Sequence, residues 1–177
     1  MSRHTALPIS LYVEGRSVVV VGDGDSAERR ARRFASAGAS VRSVSPGAFG
    51  PQDCEGAFIV AFQEPVQGGA EIARAAGALV YVHDAPAISD VAMPGLVVRG
   101  PLKIAISSDG VAPALTRRLR EQLEALVDAA GEDLDALIEQ LRTLRETLPR
   151  EGRAKQLNAL AARLRISGTI EVAETDD

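Results

Sequence analysis

Apolar residues in the first half of this chain come in short unbroken runs; in the second half they recur every three or four positions. The first run, Val18, Val19, Val20 and Val21, passes into Gly22-Asp23-Gly24-Asp25-Ser26 and then into Ala27, Ala31, Phe34 and Ala35 at helical spacing. So short and apolar a run predicts a strand buried on both faces, and the spacing behind it predicts a helix. Residues 17–33 therefore read as strand, glycine turn and helix, with Gly38 closing the helix. Further strands are predicted at 40–44 (SVRSV), 57–61 (AFIVA) and 79–83 (LVYVH), with a short helix at 70–76. The interval 46–55, PGAFGPQDCE, is too short and too rich in turn residues for a crossover helix, and predicts a loop or a single turn. The alternation predicts an α/β domain with a Rossmann-like parallel sheet covered on both faces, and the segment Leu7-Pro8-Ile9-Ser10-Leu11 is expected along the sheet edge.

Beyond Asp84-Ala85-Pro86 the pattern changes. Residues 96–99 and 102–107 flank Gly100-Pro101 as a strand pair, and Leu102, Ile104 and Ile106 alternate onto one face. That alternation means one covered face and one exposed or partner-facing edge. The polar turn Ser107-Ser108-Asp109-Gly110 leads to a helix over 112–127 striped by Leu115, Leu119, Leu123 and Leu126. Two more striped helices follow, one with Leu134, Leu137, Leu141, Leu144 and Leu148, the other with Leu157, Leu160 and Leu164; Pro149-Arg150-Glu151-Gly152 separates them. These stripes need cover from a small helical subdomain or a dimer partner. The expected division is a nucleotide-binding domain at 1–94, a dimerisation segment at 95–130, a helical domain at 131–170 and a frayed acidic tail at 171–177.

Composition narrows the class. The chain has 177 residues, 46% hydrophobic and 25% charged, enough for one ordinary domain with an appendage. Its longest apolar runs are strand length, and MSRHTALPIS lacks the apolar core of a signal peptide, so a cytoplasmic setting without membrane association is expected. The single cysteine, Cys54, excludes an internal disulfide and a cysteine-built metal site. A net charge of −4 argues against nucleic acid as a partner. Of the 20 basic residues only Lys103 and Lys155 are lysine, and arginines cluster at Arg29-Arg30-Arg32-Arg33 and Arg117-Arg118-Arg120. Arginine's planar fork suits carboxylates and phosphates, while the plain reading of both clusters is a solvated helix face.

The glycine turn is the first candidate site. Gly22 permits the turn, Gly24 lets backbone approach a pyrophosphate, and Ala27 takes the third small position where helix packs on strand. The helix N-terminus adds free N–H groups and partial positive charge. Asp23 and Asp25 place acid beside this loop, and the second strand ends in Ser45-Pro46 where an acidic residue usually binds the ribose; the Ser45 hydroxyl or backbone groups are the available substitutes. The second candidate is His83-Asp84 at the carboxyl end of the fourth strand, where a carboxylate serves as general acid or base or helps hold a metal. Its plain alternative is a turn aspartate bonded to nearby backbone. No nucleophile elbow occurs, so covalent catalysis is not expected.

The ordered blocks LPISLYVEGRSVVVVGDGDSAERRARRFASAGA, VYVHDAP and MPGLVVRGPLKIAISSDGVAPALTRRLREQLE, followed by the leucine-striped tail, resemble the siroheme-synthase N-terminal module across nearly the whole chain. That family comprises NAD-dependent precorrin-2 dehydrogenases, some of which are also sirohydrochlorin ferrochelatases. The resemblance implies a homodimer with NAD as cofactor and an anionic tetrapyrrole as substrate. It implies cofactor contacts from Gly22, Asp23, Gly24, Asp25, Ser26, Ser45, Pro46, Ala61 and Phe62. It implies Asp84 as general base, Ser107, Ser108, Arg117 and Arg118 at the tetrapyrrole, and His83 with Asp84 guiding a divalent metal (iron, cobalt or nickel) as chelatase substrate. Two departures fall on the cofactor side: a strand and helix usual after the second strand are reduced to about ten residues, and Ala61-Phe62-Gln63-Glu64 replaces the usual Ala-Thr-Asp or Ala-Thr-Asn. Phe62 is expected to crowd the nicotinamide ribose and weaken the cofactor. The alternatives are therefore a chelatase or tetrapyrrole-binding protein without NAD-dependent activity, and a non-catalytic dimeric nucleotide-binding protein.

Overall fold

The computed structural model describes residues 5–167 and residue 170; the acidic stretch 171–177 and residues 1–4 lie outside the described residues. The chain forms two compact units, one of Met1–Gly95 with Ile106–Thr116, the other of Leu96–Ala105 with Arg117–Asp177. Residues 106–116, expected with the dimerisation segment, thus cluster with the first unit.

The first unit carries β1 (Ser17–Val21), α1 (Gly24–Ser36), β2 (Ser40–Val44), β3 (Ala57–Phe62), α2 (Gly69–Ala75) and β4 (Leu79–Val82). All four strands are parallel, in the order β2-β1-β3-β4. Side chains alternate across the sheet with period two. Val19, Val21, Val60, Phe62, Val80 and Val82 face Ala70 and Ala73 of α2, while Val18, Val20, Ile59, Ala61 and Tyr81 face Ala27 and Phe34 of α1. The continuous apolar runs are thereby explained, since β1 and β3 are buried on both faces. The short interval after β2 folds as two single-turn 3₁₀ helices, Pro46–Ala48 and Pro51–Cys54. One carboxylate locks it: Asp53 accepts from Arg42 Nη1 at 2.5 Å and from the Gly50 N–H at 2.9 Å, while Arg42 Nη2 reaches the Asp53 carbonyl at 2.6 Å. Cys54 is fully buried in the core, and burial pushes its thiol pKa up.

The N-terminal segment does not lie along the sheet. Leu7 is 83% and Ile9 68% exposed, and the chain enters the core only at Val13. Both sheet faces are already filled from α1 and α2, and Pro8 has no N–H to offer an edge strand.

β5 (Gly95–Arg99) and β6 (Leu102–Ile106) pair as a two-stranded sheet, followed by α3 (Pro113–Thr147) and α4 (Arg150–Ala161). The expected alternation appears in β6, where Leu102, Ile104 and Ile106 are half-buried and their neighbours exposed. The two expected helices over 112–148 are one segment broken at Gly131, whose φ of 46° and ψ of −134° leave the helical region. Arg99 spans this break, with Nη1 3.5 Å from Asp128 and Nη2 2.6 Å from Asp135. Leu134 is buried, whereas Leu115 and Leu126 remain more than half exposed.

Val60→Ala is expected to lower stability by about 2 kcal/mol, through lost transfer energy and a small cavity, whereas Ile9→Ala stays within about 0.5 kcal/mol. Urea titration of the two variants distinguishes a core strand from an unpacked segment. The Arg99 hydrogen bonds hold the Asp135 pKa below its ordinary 3.8, so this pair contributes stability above 3.8 and loses it as pH falls through the lower folded value. The stability gap between the wild type and Arg99→Gln is therefore expected to be open at neutral pH and to close on acidification, as thermal melts across that range would show.

Candidate active site

Strand pairing puts the ends of all four strands on one row. Val44 pairs with Val21, Val21 with Phe62, and Phe62 with Val82. The next residue of each strand is Ser45, Gly22, Gln63 or His83. Three hydrogen bonds extend the row by one step: Gly22 N–H to the Val44 carbonyl at 3.0 Å, Gln63 N–H to Val21 at 2.9 Å, and His83 N–H to Phe62 at 3.0 Å. Between β1 and β3 the strand order reverses, and such a switch point at the carboxyl ends is where open parallel sheets bind ligands.

The glycine turn lies at this point. Gly22 has φ of 154°, and a Cβ there would come within 2.6 Å of Gln63 Cγ, so only glycine fits beneath that side chain. Gly24, at φ 72° and opening α1, has nothing within 4 Å of where its Cβ would stand, which leaves its backbone open to a ligand. Asp23 occupies the N-cap of α1 yet makes no capping hydrogen bond; its Oδ1 accepts from the Ser45 hydroxyl at 2.7 Å. Pro46 starts the adjoining 3₁₀ turn, and Asp25 is exposed in the first turn of α1. The Ser26 hydroxyl reaches Gln63 Oε1 at 3.5 Å.

Gln63 itself is the residue that sequence reasoning passed over. It is 9% exposed, and its Nε2 is buried without a partner. A buried amide left unpaired costs about 1–3 kcal/mol, so a free donor beside a glycine turn and a helix N-terminus suits an anion such as a pyrophosphate. Its signal lies in the departure Ala61-Phe62-Gln63. The Phe62 ring is not in the site. Phe62 is 1% exposed and stacks edge-on against Phe49 at 5.1 Å, and Ala61 is fully buried on the opposite face. Their side chains therefore belong to the core, and Phe62 does not crowd the cofactor edge.

Asp84 follows β4 in a left-handed conformation, φ 54°, with its side chain 90% exposed. The turn is tied from below: the Ser89 hydroxyl accepts from Val82 N–H at 2.9 Å and donates to the Ala85 carbonyl at 3.0 Å. Asp84 lines a cleft of about 510 Å³ with Tyr81, Ser89, Met93, Ser107 and Asp109. His83 Nδ1 lies 3.6 Å from Asp84 Oδ1 and 3.3 Å from the Tyr81 hydroxyl, and the Arg30 guanidinium stacks on the Tyr81 ring at 4.4 Å. Arg33 donates to the Pro94 carbonyl at 3.0 Å, so two of the four α1 arginines have tertiary contacts, while Arg32 pairs with Glu28 along its own helix. Ser107 lines the cleft. Ser108 instead turns into the fold, its Oγ accepting from Thr116 Oγ1 at 3.0 Å and from Ala112 N–H at 3.2 Å. Arg117 and Arg118 are exposed on the part of α3 that belongs to the second unit. Among the described residues no three His, Cys, Asp or Glu side chains gather to hold a metal, so His83 and Asp84 stand as a pair.

Comparison with known proteins assigns both halves of the chain. Residues 9–67 match an NAD(P)-binding family model, and residues 99–126 match the model of the sirohaem biosynthesis protein central region. The siroheme synthase of Pseudomonas paraeruginosa is 35% identical over 81% of this chain and 36% of its own length. Siroheme synthase 3 of Aeromonas hydrophila is 36% identical over 68% of this chain and 31% of its own length. The chain thus spans about a third of the curated relatives it matches. A solved structure described as SirC, precorrin-2 dehydrogenase, superposes with a TM-score of 0.66 at 25% identity, covering 88% of this chain and 89% of that one.

Gln63→Met keeps the length of the side chain and removes the unpaired amide. It is expected to raise the melting temperature of the ligand-free protein, by the equivalent of about 1 kcal/mol. An unchanged or lower melting temperature would show that the Gln63 amide is already satisfied.

Proposed function

The chain belongs to the siroheme-synthase N-terminal module family, and on that premise we propose that it oxidises precorrin-2 to sirohydrochlorin with NAD⁺ as electron acceptor. The observation that carries this reading is the shared row: the glycine turn, the unpaired Gln63 donor and Asp84 all leave the same edge of one sheet. At about 4.8 Å between strands, the β1 and β4 exits are about 10 Å apart, a span that a nicotinamide ribose phosphate can bridge.

The oxidation removes two electrons and two protons from the macrocycle. NAD⁺, when bound, takes the electron pair with one proton as hydride. The chain's own residues do the rest. Backbone N–H groups at the start of α1 and Gln63 Nε2 hold the pyrophosphate, and the Gly24 backbone gives it room to approach. Asp84 accepts the remaining proton, and its left-handed backbone and the Ser89 tether keep the carboxylate at the cleft. His83, 3.6 Å away, can pass that proton to solvent. In metal insertion, the second activity of some family members, the same pair would receive pyrrole protons while a divalent ion enters as substrate.

The assembly we propose is a homodimer in the cytoplasm, and no helix among the described residues is long and apolar enough to cross a membrane. The half-buried face of β6 and the exposed Leu115 and Leu126 support a second copy as their cover. Arg117 and Arg118, exposed and without an ion-pair partner among the described residues, suit the carboxylates of the tetrapyrrole.

The test is anaerobic incubation of the chain with precorrin-2 and NAD⁺, following NADH and the macrocycle spectrum. Asp84→Asn is the informative variant, because asparagine tolerates a positive φ. It is expected to lower kcat by about 10²–10⁴-fold and to leave the Kd for NAD⁺ within about twofold. A wild-type chain that binds the tetrapyrrole without forming NADH would favour the chelatase reading.

A further inference from the structure

Dinucleotide sites on parallel sheets take the adenosine ribose hydroxyls with a carboxylate at the end of the second strand. Here β2 ends at Val44 and continues into Ser45-Pro46, with no acid. The structure brings a carboxylate to the same place from the neighbouring loop. Asp23 stands one residue beyond Gly22, whose N–H bonds the Val44 carbonyl, and its Oδ1 takes the Ser45 hydroxyl at 2.7 Å. Aspartate at an N-cap ordinarily accepts a backbone N–H of its own helix. Asp23 does not, so its carboxylate is turned away from α1 and towards the end of β2, and the first N–H groups of α1 stay free.

The local cation is committed elsewhere. Arg42, the basic residue of β2, is bound through both terminal nitrogens to Asp53. A ribose 2′-phosphate placed at the end of β2 would therefore meet a carboxylate, with the Arg42 guanidinium already held by Asp53.

We propose that Asp23, docked on Ser45, is the ribose-binding carboxylate of this site and makes it select NAD⁺ over NADP⁺. The two ribose hydroxyls donate to the Asp23 carboxylate, and Ser45 fixes its orientation. The inference rests on the dinucleotide reading above and adds the residue that reads the ribose.

Calorimetric titration of the full chain with NAD⁺ and with NADP⁺ tests it. The wild type is expected to bind NAD⁺ about 100-fold more tightly, since facing like charges are strongly disfavoured. Asp23→Asn keeps the shape and the bond to Ser45 while removing the charge, and Asp23→Ser keeps a good N-cap residue. Both are expected to shrink the preference by about tenfold or more, chiefly through tighter NADP⁺ binding. A ratio of two affinities is insensitive to the fraction of folded protein, so partial misfolding does not mimic the effect. Equal wild-type affinities, or a ratio unmoved in both variants, would overturn the proposal and leave the dinucleotide reading standing. A wild type that binds neither dinucleotide would overturn both.

Discussion

The site depends on four parallel strands ending on one row. Register is a property of the whole strand pair, because a one-residue slip would turn every buried valine of β1 or β3 to the wrong face. The core therefore fixes the row, and the row fixes what emerges from it. Ser45, Gly22, Gln63 and His83 are placed side by side although they come from four distant parts of the chain. The chemistry at this edge follows from packing well below it.

Local rules are broken where the row meets solvent. Asp84 holds φ of 54°, Asp23 leaves its helix uncapped, and Gln63 buries a donor without a partner. Each costs on the order of 1 kcal/mol or more, and each lies within two residues of a strand end. Strain of this kind persists only where the surrounding structure over-determines it. Here the valine core below and the Ser89 tether supply that support. An edge in which polar groups are prepared but not satisfied is one organised around something that binds.

Much of this was legible in the sequence, for physical reasons that can be named. The unbroken runs at 18–21 and 57–61 show strands buried twice over, and a carboxylate directly after a strand must lie at the ligand edge, so Asp84 could be placed before any coordinates. Side-chain direction was less accessible. Phe62 shares a face with Val60 and Val19 by simple alternation, which puts its ring in the core, yet its place beside a cofactor motif suggested the opposite. Ser108 and Asp23 were hard to orient for a related reason. Each can bond to several groups in reach, and only tertiary contacts show that Ser108 turns to Thr116 and Asp23 to Ser45. The break at Gly131 falls between the two helices that the leucine stripes already separated.

The shortened link between β2 and β3 reads differently once its contacts are known. Losing a strand and a helix makes β2 the sheet edge, where two of its side chains are only half-buried and the rest exposed. It also removes the cover that such a helix would give Val44, Phe49 and Phe62. The two 3₁₀ turns replace that cover: Cys54 enters the core, Phe49 meets Phe62, and Asp53 ties the link to Arg42. The link meets the row at Ser45, whose carbonyl accepts from the Ala48 N–H at 3.0 Å. By engaging Arg42 with Asp53, the link withholds that guanidinium from the end of β2. On the proposal made for Asp23, a deletion expected to weaken cofactor binding is one of the causes of cofactor choice.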